Sequence, residues 1–201
     1  MALLTASGHG LRLARCRPRR CFWLGNLLGL LFAATAALAQ SGPAGEYQLK
    51  AVFLLNFGRF VTWPPAAFPT PTSPFVIGVL GTDPYGDALD QAVRGEAIEG
   101  HPLAVQRHRR VADLKDCHIL FISASEAGRI DAILAALSGR PVLTVCDADG
   151  PAWHDVMIQF RTENRRVRLQ VNLTMAKAAD LTISSKLLRP AEIVTMAEDR
   201  P

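Results

Sequence analysis

Apolar residues in this chain fall into short runs whose spacing changes from helical to strand-like and back. In residues 46–60 they recur every three or four positions, which predicts a helix with one apolar face. The residues of this face are Leu49, Val52, Phe53, Asn56, Phe57 and Phe60. Pro64 and Pro65 end the helix, because residues before a proline avoid the helical conformation. We expect the apolar face to pack on a sheet.

Strand-like runs dominate the rest of the chain and alternate with short helical segments. The predicted strands are residues 75–80, 103–107, 117–122 and 141–146, followed by an antiparallel hairpin of 156–161 and 167–173. Helices are expected to begin at Asp83-Pro84, at the capping sequence Ser123–Glu126 and near residues 174 and 186. This alternation predicts an α/β three-layer sandwich, with a mixed, mostly parallel sheet flanked by helices in a Rossmann-like arrangement.

The first 39 residues have the layout of a secretory signal peptide. Five arginines precede an apolar run from Phe22 to Ala37, and Ala37-Leu38-Ala39 is a small-x-small cleavage sequence. The run is shorter than the ~20 apolar residues of a stable membrane span. We therefore predict a signal peptide at 1–39, a single domain at 40–201 and export to the periplasm, with no membrane insertion after cleavage.

Removal of this leader changes the charge of the protein. The chain has 22 Lys+Arg and 18 Asp+Glu, and the five arginines before Gln40 are accompanied by no acidic residue. The remaining chain is therefore close to neutral, without the basic stripe that is typical of nucleic-acid-binding domains. The helix at 46–60 has only Lys50 and Arg59 as basic residues, too few for a membrane-surface helix. Neither nucleic acid nor a lipid surface is a predicted partner.

Two segments have residues typical of ligand or metal sites, and both are better interpreted as turns. The segment 78–86 is glycine-rich between a strand and a helix, but its spacing matches neither of the common phosphate-binding patterns. The segment 146–155 gathers Cys146, three aspartates and His154, yet it lacks the spacing of a calcium loop and has no second His or Cys at a zinc-binding interval. His118 is expected to be a hydrogen-bonded core residue. We predict no catalytic set, no metal and no cofactor.

Cys117 and Cys146 are the two cysteines that remain after cleavage. If their strands are parallel neighbours, the two residues lie about four positions apart along the sheet, or ~13 Å. A disulfide needs Cα atoms within ~7 Å. We predict two free, buried thiols.

Five segments together resemble the YfiR family of periplasmic proteins. They are EYQLKAVFLLNFGRFVTWP, FVIGVLGTDPYGDAL, CHILFIS, PVLTVCD and VRLQVNLTMAKAADLTISSKLL, in this order along the chain. The resemblance implies an α/β sandwich that binds the periplasmic part of an inner-membrane diguanylate cyclase and holds it inactive. Release would raise cyclic di-GMP and promote biofilm formation. The disulfides of the family's type member have no counterpart here, because this chain lacks the other cysteines.

A surface near Trp63 is the predicted ligand or partner site. Trp63, beside the Pro64-Pro65 turn, is expected over the carboxyl end of the sheet, where open α/β domains bind ligands. The predicted site residues are Thr62, Trp63, Ser184, Ser185 and Lys186. The alternative is that Trp63 fills the core and that Ser184-Ser185 caps the last helix.

Three functions remain open from the sequence. The first is a non-enzymatic periplasmic repressor that binds a membrane diguanylate cyclase. The second is a small-molecule-binding sensor module that feeds a two-component or cyclase system, and the third is a hydrolase that uses residues 146–155. The sequence also leaves open whether the protein forms a homodimer.

Overall fold

The apolar runs of the sequence form the central strands of a mixed sheet. The structure is a computed structural model that describes residues 43–114, 116–164, 166–189 and 191–194. Its helices are α1 Pro43–Phe60, α2 Asp87–Val93, α3 Ile130–Leu137, α4 Leu173–Ala178 and α5 Ser185–Leu188. Its strands are β1 Val61–Thr62, β2 Phe75–Leu80, β3 Ala97–Ile98, β4 His101–His108, β5 Ile119–Ile122, β6 Leu143–Cys146, β7 Ile158–Glu163, β8 Arg166–Asn172, β9 Thr182–Ile183 and β10 Ala191–Val194.

Within the described residues, the large sheet has eight strands in the order β10-β8-β7-β6-β5-β2-β4-β3. The neighbouring pairs β4–β2, β2–β5, β5–β6, β6–β7 and β8–β10 are parallel. The predicted hairpin β7–β8 is antiparallel, and so is the short pair β3–β4. Strands β1 and β9 form a separate antiparallel pair. The sheet is therefore mixed and mostly parallel, as predicted.

Helices cover both faces of this sheet, which confirms the three-layer sandwich. One core contains Phe75, Ile77 and Val79 of β2 and is covered by α1, α2, α4 and α5. The other core contains Leu80 of β2 and is covered mainly by α3 and short 3₁₀ turns. Burial from both sides explains why β2, β5 and β6 are almost entirely apolar.

Helix α1 packs on the sheet by a face that only partly overlaps the predicted one, because Phe57 is buried as expected and Phe53 and Phe60 pack partly against the core. Its buried residues are Lys50, Ala51, Leu54, Leu55, Phe57 and Gly58. Leu49 and Val52, which were expected to be buried, are 47% and 46% exposed. The helix is apolar on nearly every side, so spacings of three and four fit more than one face, and contacts distant in sequence decide between them.

The other differences from prediction lie at element ends and sheet edges. Helix α2 begins at Asp87 rather than near Asp83, because the Asp83 carboxylate accepts a hydrogen bond from the Tyr85 amide (2.7 Å) and forms a turn. The edge strands β3 and β10 were not predicted. They are short and partly exposed, so they lack the apolar run of a central strand.

The predicted signal peptide at 1–39 lies outside the described residues, and the domain boundary at residue 40 stays a prediction. Among the helices that the structure describes, none has both the length and the apolar composition needed to cross a membrane.

Candidate functional site

The carboxyl ends of β2 and β5 are the first place to look for a ligand site. The chain passes from β2 to β4 on one side and then to β5 on the other, so the strand order reverses here. Open α/β sheets commonly bind ligands at such a point. In this protein Thr82 N donates a hydrogen bond to Ser125 Oγ (3.0 Å), and Gly81 lies against Ser125 and the buried Glu126. Side chains of the protein fill the crevice where a phosphate would bind.

Gly81→Ala should destabilise the protein by about 2–4 kcal/mol, from a strained backbone and an overpacked crevice. Gly81 has φ +92°, and an added Cβ would lie 2.7 Å from Glu126 Oε1 and closer still to Ser125 Oγ. Gly95→Ala is the matched control, since Gly95 has φ +75° and no heavy atom within 4 Å of an added Cβ. Its expected cost is about 1 kcal/mol. Urea unfolding of the two variants measures the difference, and equal costs would show that the crevice is not filled.

Arg107 and Arg110, two arginines of the basic cluster at 107–110, form ion pairs within the protein. The Arg107 guanidinium contacts the carboxylates of Asp83 (2.7 Å) and Asp90 (2.5 Å), and it holds the pKa of Asp90 below its usual range. Arg110 pairs with Asp113 at 3.0 Å. The Arg107 contacts fix the turn after β2 against β4.

Asp147 and Asp149 of the segment 146–155 contact different parts of the protein. Asp147 points to α1, whereas Asp149 is exposed and lies 3.5 Å from Arg161. No group of three or more His, Cys, Asp or Glu side chains in the described parts of the chain is arranged to hold a metal ion. Burial raises the pKa of the Cys146 thiol to about 12, so it is protonated and a poor nucleophile at neutral pH.

The two thiols are buried at separate places. Strand register pairs Cys146 with Ile122. Ile122 is five residues from Cys117, so the two cysteines are ~16 Å apart along the strand direction. Both cysteines are free in this structure, and burial also raises the pKa of Cys117 to about 12. This separation of the cysteines is longer than the ~7 Å between Cα atoms that a disulfide allows.

A polar cluster joins the start of α1 to the carboxyl end of β6. Lys50 Nζ lies 2.7 Å from Glu46 and 3.2 Å from Asp147, and the Tyr47 hydroxyl donates a hydrogen bond to Asp147 (2.8 Å). The side chains of Lys50 and Asp147 are only 5% and 8% exposed. The cluster fixes which face of α1 meets the sheet, and sequence reasoning missed it because the partners are nearly a hundred residues apart.

The outer side of α1 has four apolar residues, of which two face solvent and two pack partly against the core. Leu49 and Val52 are about half exposed, and the neighbouring Phe53 and Phe60 are partly buried. Single exposed apolar residues are common, but a row of them along one helix is typical of an interaction surface. We call these four residues the α1 stripe.

The structure brings most of the predicted site residues together, near the amino ends of the parallel strands. Thr62 pairs with Thr182 across β1 and β9, and Ser184 N donates to the Phe60 carbonyl (2.8 Å). Ser185 and Lys186 are exposed beside this junction, and Ser184 caps α5 through Lys186 N. The cap is the alternative foreseen from the sequence.

Trp63 fills the core, which is the alternative considered from the sequence, but it does so at the amino end of the sheet. Its ring packs edge-on against Phe75 (4.9 Å) and near His118 (6.4 Å). These residues stand at the amino ends of β2 and β5, so the expected position over the carboxyl end is wrong. Trp63 is only 8% exposed and belongs to the core, which leaves Thr62, Ser185 and Lys186 as the accessible members of the predicted set.

A groove between α3 and α4 is too small for an ordinary ligand. It is lined mainly by Leu134, Leu137, Met157 and Met175 and has a volume of about 90 Å³. Ligand pockets usually measure about 300–1,000 Å³. The groove has room for one side chain or one ring.

Comparison with known proteins identifies the family of the chain. A search of curated proteins finds no match to this sequence. The family model described as YfiR/HmsC-like matches residues 47–192, which include every strand from β1 to β9 and most of α1. The sequence segments that suggested this resemblance lie almost entirely inside the matched range. The chain therefore belongs to the YfiR/HmsC-like family.

Proposed function

We propose that the protein is a non-enzymatic periplasmic regulator that binds the periplasmic region of an inner-membrane diguanylate cyclase and keeps the enzyme inactive. Membership of the YfiR/HmsC-like family is the observation that carries this proposal. Export through the segment 1–39 would bring the protein to the compartment of that region. Lower cyclic di-GMP and weaker biofilm formation would follow.

Inhibition by binding requires a difference in affinity between two states of the cyclase. A regulator shifts a two-state equilibrium only as far as it binds one state more tightly than the other. The contact surface must therefore distinguish the shapes of the two cyclase states. An exposed helix face on a rigid core can do so, because it does not adapt to both. Phe57 and Phe160, stacked with centroids 5.7 Å apart, hold α1 to the sheet from the inner side.

The proposed contact surface consists of the α1 stripe and the residues that continue it at its carboxyl end. The stripe supplies apolar area, and Thr62, Ser185 and Lys186 add a polar margin with one positive charge. The Phe60–Ser184 hydrogen bond keeps the two parts adjacent. An apolar centre with a polar margin is the usual organisation of a protein–protein interface.

The double substitution Leu49→Glu, Val52→Glu tests this surface. Both side chains are exposed, so the fold should persist, while two charges in the interface should weaken binding to the isolated periplasmic region at least about tenfold. Cells that carry the variant should resemble a deletion strain, with raised cyclic di-GMP and attachment. Ile193→Glu is the control, because Ile193 is 50% exposed on β10, outside the proposed surface.

Two results would contradict the proposal at different levels. Unchanged cyclic di-GMP in a deletion strain would exclude the regulatory function itself. Raised cyclic di-GMP in the deletion strain, with normal repression by the Leu49→Glu, Val52→Glu protein, would keep the function and exclude the α1 stripe as its surface.

A further inference from the structure

His118 is enclosed by rings at the amino end of the sheet. The imidazole is 2% exposed and stacks on Phe68 (4.5 Å between centroids) and on Phe75 (4.8 Å). Phe75 begins β2, whereas Phe68 belongs to residues 64–74, a proline-rich connection that we call the proline loop. Phe68 also stacks on His101 of β4 at 4.0 Å. The loop is thus attached to the sheet through aromatic contacts centred on two histidines.

The hydrogen bonds of His118 assign its protonation state. Nδ1 lies 3.1 Å from the amide of Val76, which can only donate, so Nδ1 accepts and carries no proton. In the neutral ring the proton is therefore on Nε2, which is buried and forms no hydrogen bond in the described structure. The ring is held as one neutral tautomer.

A second proton would disrupt this arrangement in two ways. It would sit on Nδ1 and face the Val76 N–H, so two donors would oppose each other and a buried hydrogen bond would be lost. It would also place a positive charge in an apolar, ring-lined site. Burial accordingly lowers the pKa of His118, and the nearby His101 acts in the same direction.

Two groups around His118 act against the effect of burial on its pKa. Asp116, at the approach to β5, and the Ala67 carbonyl of the proline loop both favour the protonated ring, but burial outweighs them. Asp116 is exposed, so solvent screens it. The proline loop has no ionisable side chain, and neither does the adjoining part of β2.

We propose that His118 is an acid-operated latch for the proline loop, closed when the ring is neutral and opened when the ring gains a proton. The loop is the part that yields, because β2 and β5 are central strands paired on both sides, whereas most loop residues are exposed. Movement of Phe68 away from the ring would admit water to the imidazolium. This inference concerns the fold alone and stands apart from the proposed function.

His101 does not operate the latch, although it contacts the same phenylalanine. Its Nδ1 lies 2.7 Å from the Ser73 carbonyl, an acceptor, so Nδ1 must donate. An imidazolium also donates from Nδ1, and this bond therefore survives protonation. A second proton would therefore break the hydrogen bond of His118 to Val76 and leave that of His101 to Ser73 in place.

The pH range follows from linkage. An open, solvated histidine has a pKa near 6.5, and the closed form has a lower value, so closure is fully favoured above about pH 6.5 and weakens as the pH falls below it. Between pH 7.5 and pH 5.0 the opening equilibrium constant should rise toward a limit of about 30-fold, which an open-state pKa near 6.5 sets.

Hydrogen–deuterium exchange of the full-length protein measures this opening. After correction for intrinsic exchange rates, amides in residues 66–76 should lose protection between pH 7.5 and 5.0, and those of α3 should not. His118→Asn should abolish the pH response, because asparagine Oδ1 can accept from Val76 but cannot titrate. His101→Asn, the matched control, should keep the response.

Several results would overturn the latch. Equal protection of residues 66–76 at both pH values in the wild-type protein is one, and a full response in His118→Asn is another. Should His118→Asn fail to fold, NMR titration of the wild-type His118 ring decides the matter. A pKa at or above 6.5 in the folded protein would exclude the latch, and a lower value with loop exchange that follows it would support it.

Discussion

Lys50→Met is expected to lower the free energy of unfolding by about 3–5 kcal/mol, the usual cost of removing one member of a buried ion pair. Methionine retains an apolar stem where the Lys50 side chain passes Phe160. The Asp147 carboxylate, only 8% exposed, would lose the ammonium 3.2 Å away and keep the Tyr47 hydroxyl. Urea unfolding followed by circular dichroism measures the loss.

Arg59→Met provides a control on the same helix. Arg59 pairs with Glu96 at 2.6 Å, but both side chains are more than 40% exposed, and such pairs contribute about 0–1 kcal/mol. A double variant, Lys50→Met with Asp147→Leu, should be more stable than Lys50→Met alone, because no unpaired buried charge remains. Equal losses for Lys50→Met and Arg59→Met would show that burial of the Lys50 pair adds nothing.

The orientation of α1 shows where sequence reasoning reaches its limit. Periodicity identified the helix and its end before Pro64 correctly. It could not choose the buried face, because apolar residues surround the helix and charged residues are normally assumed to face solvent. Lys50 breaks that assumption through Asp147, which is distant in sequence. Leu49 and Val52 of the α1 stripe were therefore assigned to the core although they face solvent.

The sheet was easier to predict than the position of the site. Central strands such as β2 and β5 are buried on both faces, and this requirement leaves an apolar run in the sequence. The end of the sheet that Trp63 reaches depends on the direction of α1. An 18-residue helix is ~27 Å long, which is enough to cross the sheet. The first turns of α1 lie beside Asp147, at the carboxyl ends of the strands, so the helix must end near their amino ends.

The surroundings of His118 were only partly predictable from the sequence. A histidine inside an apolar strand is expected to have a hydrogen-bond partner, and Val76 N confirms this. The stacking of Phe68 on the ring follows from the path of the proline loop, which no local pattern indicates. The sequence could therefore predict a buried histidine, whereas the loop that covers it became apparent only in the fold.

Phe160→Ala is expected to destabilise the protein by about 3–5 kcal/mol, the usual cost of an aromatic-to-alanine change in a core. Phe160 is 2% exposed on β7, and its ring stacks on Phe57 of α1 at 5.7 Å and contacts Phe53 at 5.9 Å. Truncation leaves a cavity beneath the middle of α1. Urea unfolding gives the size of the effect, and exchange of α1 amides should show that this helix loosens.

Phe53→Ala is the control that distinguishes the cost of a buried cavity from the cost of losing an aromatic contact. Phe53 contacts the same Phe160 ring but is partly exposed, so its removal opens a space that solvent can enter and should cost clearly less. If α1 is held to the sheet mainly by this stacked pair, Phe160→Ala should also weaken partner binding, because the α1 stripe would lose its rigid support. A Phe160→Ala protein as stable as Phe53→Ala would place the anchorage of α1 elsewhere, in the Lys50–Asp147 pair.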